Sequence, residues 1–379
     1  MPFVVLVFSS ICFNGCRNVK NQKIEKNDNI KTVIIPKVVD AEDVDIISDL
    51  DYIVLEAKEN SYFGNVTKMR VYQNKIYILD EMHANALFIY TIEGKHIATI
   101  GDKKGRGPLE FESVKNFEID YANNQLAVID NFGYKIMIYD LEGKFIKRIN
   151  SEMTVLNTVL LPNGNILHAK PTGDYNAPLT SNCQIIITGE NNQIIKEAFE
   201  YDDNKNLNIH IPEIITAQFD GGFNFAPKFR DTIYHVSSES ITPKYAINYG
   251  DNRKIPKSTI NTLSDIRDLY KLIKNGNTCF LGTHVESKDF LYLSLGFPYP
   301  IYVFYNKDID KTIAISTKAN ITEYKFELYQ IGCSDADGYF YGAFNFADID
   351  EVSKLFPELK KIDTKEEPNP ILFRYKVKL

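Results

Sequence analysis

Short apolar runs separated by polar turns fill most of the chain, and two groups of these runs repeat each other. In the first group Ile76–Asp80 is followed by Leu87–Tyr90, and in the second Leu126–Asp130 is followed by Ile136–Tyr139. Each group continues through a Glu-Gly-Lys turn into a further strand. Strands that repeat about every fifty residues are typical of stacked sheet units. The pattern therefore predicts the blades of an all-β propeller.

Similar sets of runs can be followed along the chain, and they predict six blades of four antiparallel strands. The connecting turns are rich in Asn and Gly, which tolerate the positive φ angles of tight hairpins. The sixth blade, with its inner strand predicted over Tyr329–Cys333, lacks one strand. Asp51–Leu55 is predicted to supply it, because closing the ring removes an open sheet edge. Ser258–Lys274 and Ile349–Lys361 have a helical apolar period and are predicted to be two short insertions.

The amino terminus resembles a bacterial lipoprotein signal. Phe3–Ile11 is apolar but too short to span a bilayer, and Cys16 follows at the position of the lipidated residue. Residues 17–45 are rich in Asn, Lys, Asp and Glu, a composition that predicts a flexible tether. The predicted organisation is a signal segment over residues 1–16, a tether over 17–45 and one propeller domain over 46–379. An ordinary secretory signal with an incidental cysteine is the alternative.

Composition limits the partners of the chain more than it identifies them. Of the 379 residues 44% are hydrophobic, which is enough for a large core. The net charge of −7 argues against a nucleic-acid partner, because phosphate binding requires a concentrated basic surface. Cys183, Cys279 and Cys333 lie in apolar runs without CxxC spacing and are predicted to be buried, while a bridge between Cys279 and Cys333 stays open. No cofactor is predicted.

The first two repeats, the glycine-rich linker Gly101–Phe111 and the later Asp231–Tyr234 resemble the six-bladed β-propeller lipoproteins of Bacteroidetes. Those proteins are distantly similar to NHL-repeat propellers. The resemblance covers residues 45–379, and it implies a six-bladed propeller in the cell envelope, as an outer-membrane lipoprotein. It implies no catalytic residue, because the family has no general assigned activity.

The longer loops are predicted to lie on one face of the ring, named here the loop-rich face. These loops join the second strand of each blade to the third, or one blade to the next. Function concentrates in loops on a rigid scaffold, so we expect a glycan or peptide ligand on this face. The candidate ligand-binding residues are His83, Arg106, Asn131, Phe132, Tyr134, Asp174, Tyr175, Arg230 and Tyr299.

These residue types suit such ligands, although each has a structural alternative. Aromatic rings stack on sugars or peptide side chains, but they also pack loops onto the ring of blades. Arg106 offers a planar donor fork, unless it is solvated or pairs with Glu110. Arg230 with Asp231 can instead be an ion pair that closes the fourth blade.

No catalytic motif is recognisable in the sequence. The six histidines lack HxxxH or HxH spacing and no metal site is predicted, but spacing alone does not exclude a metal, because a propeller can gather ligands from several blades around its axis. There is also no GxSxG motif. The sequence therefore favours a membrane-tethered binding or scaffold propeller of the envelope. One alternative is an envelope enzyme with metal-dependent lyase, lactonase or hydrolase-like chemistry at the axial channel. A second alternative is a protein–protein interaction platform.

Overall fold

The chain folds into six sheets arranged in a ring, as the sequence predicts. The computed structural model describes residues 30–130, 134–151, 157–169, 181, 183–189, 191–200, 215–217, 222–296, 300–316, 328–344, 349–361 and 369–379. Each sheet contains four consecutive antiparallel strands or, in the sixth blade, three such strands and one from the amino-terminal region. The fold is a six-bladed β-propeller.

Three strands precede the first blade, and the first three blades follow them in chain order. The early strands are β1 (Lys31–Ile34), β2 (Val39–Asp40) and β3 (Ile47–Ile53). Blade 1 consists of β4 (Lys68–Tyr72), β5 (Lys75–Asp80), β6 (Ala86–Thr91) and β7 (His96–Ile100). Blade 2 consists of β8 (Val114–Asp120), β9 (Gln125–Asp130), β10 (Lys135–Asp140) and β11 (Phe145–Asn150). Blade 3 consists of β12 (Asn157–Leu160), β13 (Ile166–Ala169), β14 (Cys183–Thr188) and β15 (Ile194–Glu200).

Blades 4 and 5 are complete within the second half of the chain, and blade 6 has three strands there. Blade 4 consists of β16 (Ile215–Ala217), β17 (Phe223–Phe225), β18 (Thr232–Val236) and β19 (Ile241–Asn248). Blade 5 consists of β20 (Phe280–Glu286), β21 (Phe290–Leu295), β22 (Ile301–Asn306) and β23 (Lys311–Ser316). Blade 6 contains β24 (Cys333–Ser334), β25 (Phe340–Phe344) and β26 (Ile371–Val377).

The ring is closed by an amino-terminal strand. Strand β3 pairs antiparallel with β26, so that Tyr52 lies opposite Phe373 and Asp51 opposite Arg374. The closure confirms the sequence prediction, although the strand begins four residues earlier than predicted and ends at Ile53. The inner strand of blade 6 was also placed too early, because only Cys333–Ser334 pairs with β25.

The amino-terminal segment joins the propeller earlier than its composition indicates. Strand β1 pairs in parallel with β19 at the outer edge of blade 4, and β2 pairs in parallel with β23 of blade 5. Val33 and Ile35 are buried against residues of these blades. The predicted tether is therefore wrong from Lys31 onwards, because an apolar pattern of so few residues does not stand out from a polar background. Residues 1–29, with Cys16, lie outside the described residues.

Both predicted insertions are helical, but each is divided. Ser258–Lys274 forms α1 (Lys257–Thr262) and α2 (Ile266–Lys274), because Leu263 is extended and Asp265 caps the second helix through the Arg267 amide. The other insertion forms α3 (Ile349–Leu355) followed by a 3-10 turn over Pro357–Lys361. A further 3-10 turn covers Ala41–Asp43. None of the helices in the described part of the chain has the length and apolar character needed to cross a membrane.

The core consists of apolar layers between neighbouring blades. Between blades 1 and 2, Tyr77, Leu79 and Ile89 pack against Phe117 and Val128. A strand in the middle of a blade is covered on both sides, which explains why Ile76–Leu79 is a continuous apolar run that does not alternate with polar residues.

The aspartate that ends the repeated run of blades 1 and 2 has a structural role. Asp80 is fully buried and accepts hydrogen bonds from the backbone N–H groups of five residues, at 2.9–3.3 Å. Those residues are Gly64, Asn65, Met82, His83 and Ala84. In blade 2 Asp130 accepts from the N–H groups of Glu112 and Ser113. Each carboxylate therefore fixes the segment that leads into its blade's inner strand.

Asp80→Asn is expected to lower the free energy of unfolding by about 1–3 kcal/mol, because its amide NH₂ would face backbone donors that then lose their acceptor. Urea unfolding followed by circular dichroism measures the change. Asp102→Asn is the matched control, because Asp102 is exposed and its carboxylate accepts a local hydrogen bond from the N–H of Lys103. A loss as small as that of the control would contradict the structural role of Asp80.

Candidate functional site

A cavity of about 410 Å³ lies at one mouth of the axial channel. Its lining includes residues from the inner strands of blades 1, 4, 5 and 6 and one residue that follows the inner strand of blade 2. These are Arg70, Thr216, Val285, Ser334 and Tyr121. Five blades contribute to one cavity because the inner strands of all blades surround the axis. This axial cavity lies at the carboxyl ends of the inner strands.

The wall from blades 1 and 2 is built around a buried ion cluster. Lys68, Arg70 and Tyr72 share one face of β4 because side chains alternate along a strand. Arg70 binds Glu118 of β8 with both ends of its fork, Nε to Oε1 at 3.0 Å and Nη2 to Oε2 at 2.8 Å. Lys68 Nζ reaches the same Oε2 at 3.0 Å. Two cations thus share one carboxylate that is only 1% exposed.

The cluster keeps Glu118 ionised and Arg70 in place. Burial alone would raise the pKa of the Glu118 carboxyl, but the charges and hydrogen bonds of Arg70 and Lys68 outweigh it and lower the pKa. A bidentate pair fixes the plane of the guanidinium as well as its position. Arg70 is therefore a rigid part of the cavity wall.

Two tyrosines flank this wall. The rings of Tyr72 and Tyr121 meet edge to face, with centroids 4.9 Å apart, and Tyr72 donates its hydroxyl proton to Asn124 Oδ1 at 2.8 Å. Burial, and then the charge of Glu118, raises the pKa of Tyr121 well above its ordinary value. Both rings therefore offer aromatic surface at the cavity.

The neighbouring wall comes from blade 6, where a tight turn follows β24. Asp335 Oδ1 accepts the N–H groups of Asp337 and Tyr339 at 3.0 and 2.9 Å, and Oδ2 accepts the Tyr341 hydroxyl at 2.7 Å. The guanidinium of Arg374 lies over the Tyr339 ring, 5.2 Å from its centroid. The turn and strand β26 therefore place an aromatic ring and a cation together at the cavity.

Arg374 has one donor that its neighbours in the described structure do not use. Its Nη2 donates to Asp51 Oδ2 at 2.9 Å, across the pairing of β26 with β3. Its Nε is buried and has no hydrogen-bond partner among the described residues. A buried donor without an acceptor is costly, so this N–H is an unusual feature of a residue that lines the cavity.

The polar residues of blades 4 and 5 near this cavity are satisfied within the protein. His284 Nδ1 lies 2.7 Å from the Gly282 carbonyl oxygen, so this nitrogen carries the proton. Nε2, 2.7 Å from Thr216 Oγ1, then accepts the threonine hydroxyl. Within the described ranges no three His, Cys, Asp or Glu residues are placed to hold a metal ion. His284 is therefore part of the wall between blades 4 and 5.

The three described cysteines are buried, as the sequence predicts. Cys183, Cys279 and Cys333 form no disulfide, so the bridge left open between Cys279 and Cys333 is not made. Cys333 lines the axial cavity, and burial raises the pKa of the Cys279 thiol to about 12.

Two of the predicted site residues, His83 and Arg106, lie on loops of blade 1 and are largely exposed. The side chain of His83 is 68% exposed, and its Nδ1 lies 3.8 Å from Asp80 Oδ1. Arg106 is 84% exposed and pairs with Glu112, with Nε 3.1 Å from Oε1. Glu110, the partner considered from sequence, instead accepts the Gly107 N–H at 2.8 Å.

Tyr134 and Arg230 are the other predicted site residues that the structure describes. Tyr134 is 49% exposed and has a positive φ of 47°. Arg230 is half-buried and lies over the Phe199 ring, 5.7 Å from its centroid, whereas Asp231 pairs with Lys254. The structural alternative of an Arg230–Asp231 ion pair is therefore not seen. The remaining candidates, Asn131, Phe132, Asp174, Tyr175 and Tyr299, lie outside the described residues.

The axial cavity lies at one end of the strands, and the four described candidate residues lie on loops at the other end. The cavity opens where inner strands lead into their second strands, at Gln73 and Asn74 in blade 1 and at Asp335 in blade 6. The predicted loops begin where second strands end. None of the four described candidates lines the axial cavity, and only Arg230 lines a second, smaller cavity.

Comparison with known proteins identifies the family of this chain. The model of a family described as a domain of unknown function, DUF4934, matches residues 35–376. The chain belongs to this family. Among curated proteins, none matches the sequence.

Two solved structures from Bacteroides have the same fold. A protein of Bacteroides fragilis NCTC 9343 that is named as an exported protein has a TM-score of 0.70 and 21% identity, covering 92% of this chain and 100% of its own. A member of the DUF4221 family from Bacteroides vulgatus has a TM-score of 0.53 and 12% identity, covering 88% of this chain and 98% of its own. The resemblance to six-bladed propellers of Bacteroidetes is thus confirmed for the fold.

Proposed function

We propose that this protein is a binding propeller of the bacterial envelope, anchored through Cys16, whose axial cavity binds an uncharged glycan. The axial cavity carries the proposal, because aromatic rings and fixed polar groups converge in it from several blades. The lipoprotein-like start of the sequence supports the envelope location. The exported Bacteroides fragilis protein of the same fold agrees with it.

The chemistry of the walls favours a sugar. Tyr72, Tyr121 and Tyr339 present flat surfaces on which a sugar ring can stack, while Arg374 Nε offers a donor to a hydroxyl or ring oxygen. The two arginines of the lining are paired with Glu118 and Asp51 behind it, and Asp335 is used in a turn, so little charge is left to select a charged ligand. The volume of about 410 Å³ lies in the ordinary range for small-molecule sites and suits one or two sugar rings.

Binding is tested with the purified protein and a panel of neutral oligosaccharides and short peptides. We expect at least one neutral oligosaccharide to bind, and Tyr339→Ala to weaken it about tenfold through the loss of stacking worth about 1.4 kcal/mol. Arg374→Lys should weaken it as well, because lysine keeps the charge but has no Nε. Isothermal titration calorimetry measures both effects.

Tyr62→Ala is the matched control, since Tyr62 is 43% exposed and does not line the axial cavity. Binding of peptides without any glycan would contradict the proposed ligand class. Binding that is equally strong in all variants would contradict the proposed cavity. Turnover of the bound sugar would identify the alternative, an envelope enzyme with its site at the axial channel.

A further inference from the structure

A second cavity, of about 270 Å³, lies at the loop-rich face between blades 4 and 5. One side is the short loop from β17 to β18, which contains Arg230. The other side is the segment from Lys254 through α1 to Cys279, at the start of blade 5. This blade 4–5 cavity is separate from the axial cavity, and no residue lines both.

The charged lining of the blade 4–5 cavity is predominantly positive. Arg230, Lys254 and Lys257 line it together with a single carboxylate, that of Asp231. Asp231 is engaged by Lys254 and also accepts the Tyr249 hydroxyl at 3.1 Å. The lining therefore carries a net charge of +2, although the whole protein is acidic, with a net charge of −7.

Arg230 is held at this cavity by its backbone and by an aromatic ring. The N–H of Arg230 donates to the Pro227 carbonyl at 3.2 Å, and that of Phe229 donates to the Phe280 carbonyl at 3.1 Å. The guanidinium lies over Phe199 and has no hydrogen bond or ion pair with any of the described residues. Its planar donor fork is thus positioned but unused, which is the arrangement that binds a carboxylate through two parallel hydrogen bonds.

The rest of the lining is apolar. Phe229, Ile255, Ile260 and Phe280 are among the lining residues, and the last three are almost fully buried. A small hydrated ion gains nothing from such walls, whereas a carboxylate attached to an apolar group matches both parts of the cavity. The volume limits that apolar group to about the size of one amino-acid side chain.

We propose that the blade 4–5 cavity binds a carboxylate attached to a small apolar group, with Arg230 as its bidentate partner. The terminal residue of a peptide that ends in an apolar side chain has this chemistry, and so does a free small carboxylic acid. This site is independent of the axial cavity and of the glycan proposed there.

The probes are N-acetyl-leucine, its neutral amide, and a tripeptide ending in leucine with either a free or an amidated carboxyl terminus. We expect the acids to bind at least tenfold more tightly than the matching amides, as measured by calorimetry or ligand-observed NMR. Arg230→Gln should weaken acid binding at least tenfold, and Arg230→Lys should restore part of it. Arg267→Gln is the matched control, because Arg267 is an exposed arginine of α2 that pairs with Asp265.

Equal binding of acids and amides would overturn the proposal, as would an Arg230→Gln variant that binds normally or the absence of any binding. If the free-carboxylate tripeptide binds more tightly than N-acetyl-leucine, the site is assigned to peptide termini. If it binds more weakly, the site is assigned to free acids. Thermal unfolding of each variant shows whether the fold is intact, and failure at this site leaves the glycan test of the axial cavity unaffected.

Discussion

Glu118→Gln is expected to lower the free energy of unfolding by about 3–5 kcal/mol, one of the two largest effects that the structure predicts. The substitution keeps the shape of the side chain but removes the carboxylate that Arg70 and Lys68 share in their ion pairs. Both cations are buried where blades 1 and 2 meet, at 5% and 9% side-chain exposure. Both cations would lose this shared counter-charge, which offsets much of the cost of burying them.

Urea unfolding followed by fluorescence and circular dichroism measures this loss. Glu142→Gln is the matched control, because Glu142 joins the same two blades through Lys75 at 2.9 Å but is 59% exposed. An exposed pair of this kind contributes about 0–1 kcal/mol. Combining Glu118→Gln with Arg70→Met should recover part of the stability, and a double variant less stable than Glu118→Gln alone would contradict the buried-charge argument.

Acid is expected to destabilise the propeller by several kcal/mol between pH 4.5 and 2, through Glu118 and Glu286 together. Glu286 at the end of β20 is buried between blades 4 and 5 and accepts from four groups at 2.7–3.2 Å. The donors are Lys244, Lys307, Asn224 and the Tyr245 hydroxyl. Burial alone would raise the pKa of Glu286, but Lys244, Lys307 and Asn224 outweigh it and lower the pKa from 4.5 to about 2.

The direction of the pH effect follows from the lowered pKa values. A carboxylate whose pKa is lower in the folded state stabilises that state fully above its unfolded pKa, near 4.5. This contribution disappears as the pH falls towards the folded pKa, near 2 for Glu286. Each unit of lowering corresponds to about 1.4 kcal/mol, so the two carboxylates together account for a loss of several kcal/mol.

Urea unfolding at pH 7, 4.5 and 3 measures the pH dependence. Glu286→Gln should be less stable than the natural protein at pH 7 and should lose less stability between pH 4.5 and 3, because the titrating group is gone. Glu142→Gln should keep the pH dependence of the natural protein. Parallel pH profiles for the natural protein and Glu286→Gln would contradict the role of this carboxylate.

Sequence patterns predict the fold best where local turns and buried strands agree. In blades 1 and 2 the turns contain Asn74, Gly94, Asn124 and Gly143, and all four have the positive φ that their residue types tolerate. In blade 6 the pattern misplaces the inner strand, because Leu328, Tyr329 and Ile331 are buried by tertiary packing without pairing as a strand. A buried loop and a buried strand can contain the same run of apolar residues, so the periodicity of the sequence does not distinguish the two.

The candidate site was harder to predict because its parts are far apart in the sequence. Arg70, Tyr121 and Asp335 line one cavity because the ring brings the inner strands of different blades to one axis, and Arg374 joins them from β26 of blade 6. The length of the loops favours the opposite face as the binding face, and Arg230 lines a cavity there. A signal was present in the alternation of Lys68, Arg70 and Tyr72, since charged residues on an inner strand must face either the channel or a partner.

The parallel strands β1 and β2 determine where the amino-terminal segment meets the ring. From β3 in blade 6 the chain runs back across the outer edges of blade 5 and then blade 4. The described chain therefore enters the propeller at the outer edge of blade 4, and not at the axial cavity or on the loop-rich face. Ligands can approach these two surfaces without displacing strands β1 and β2.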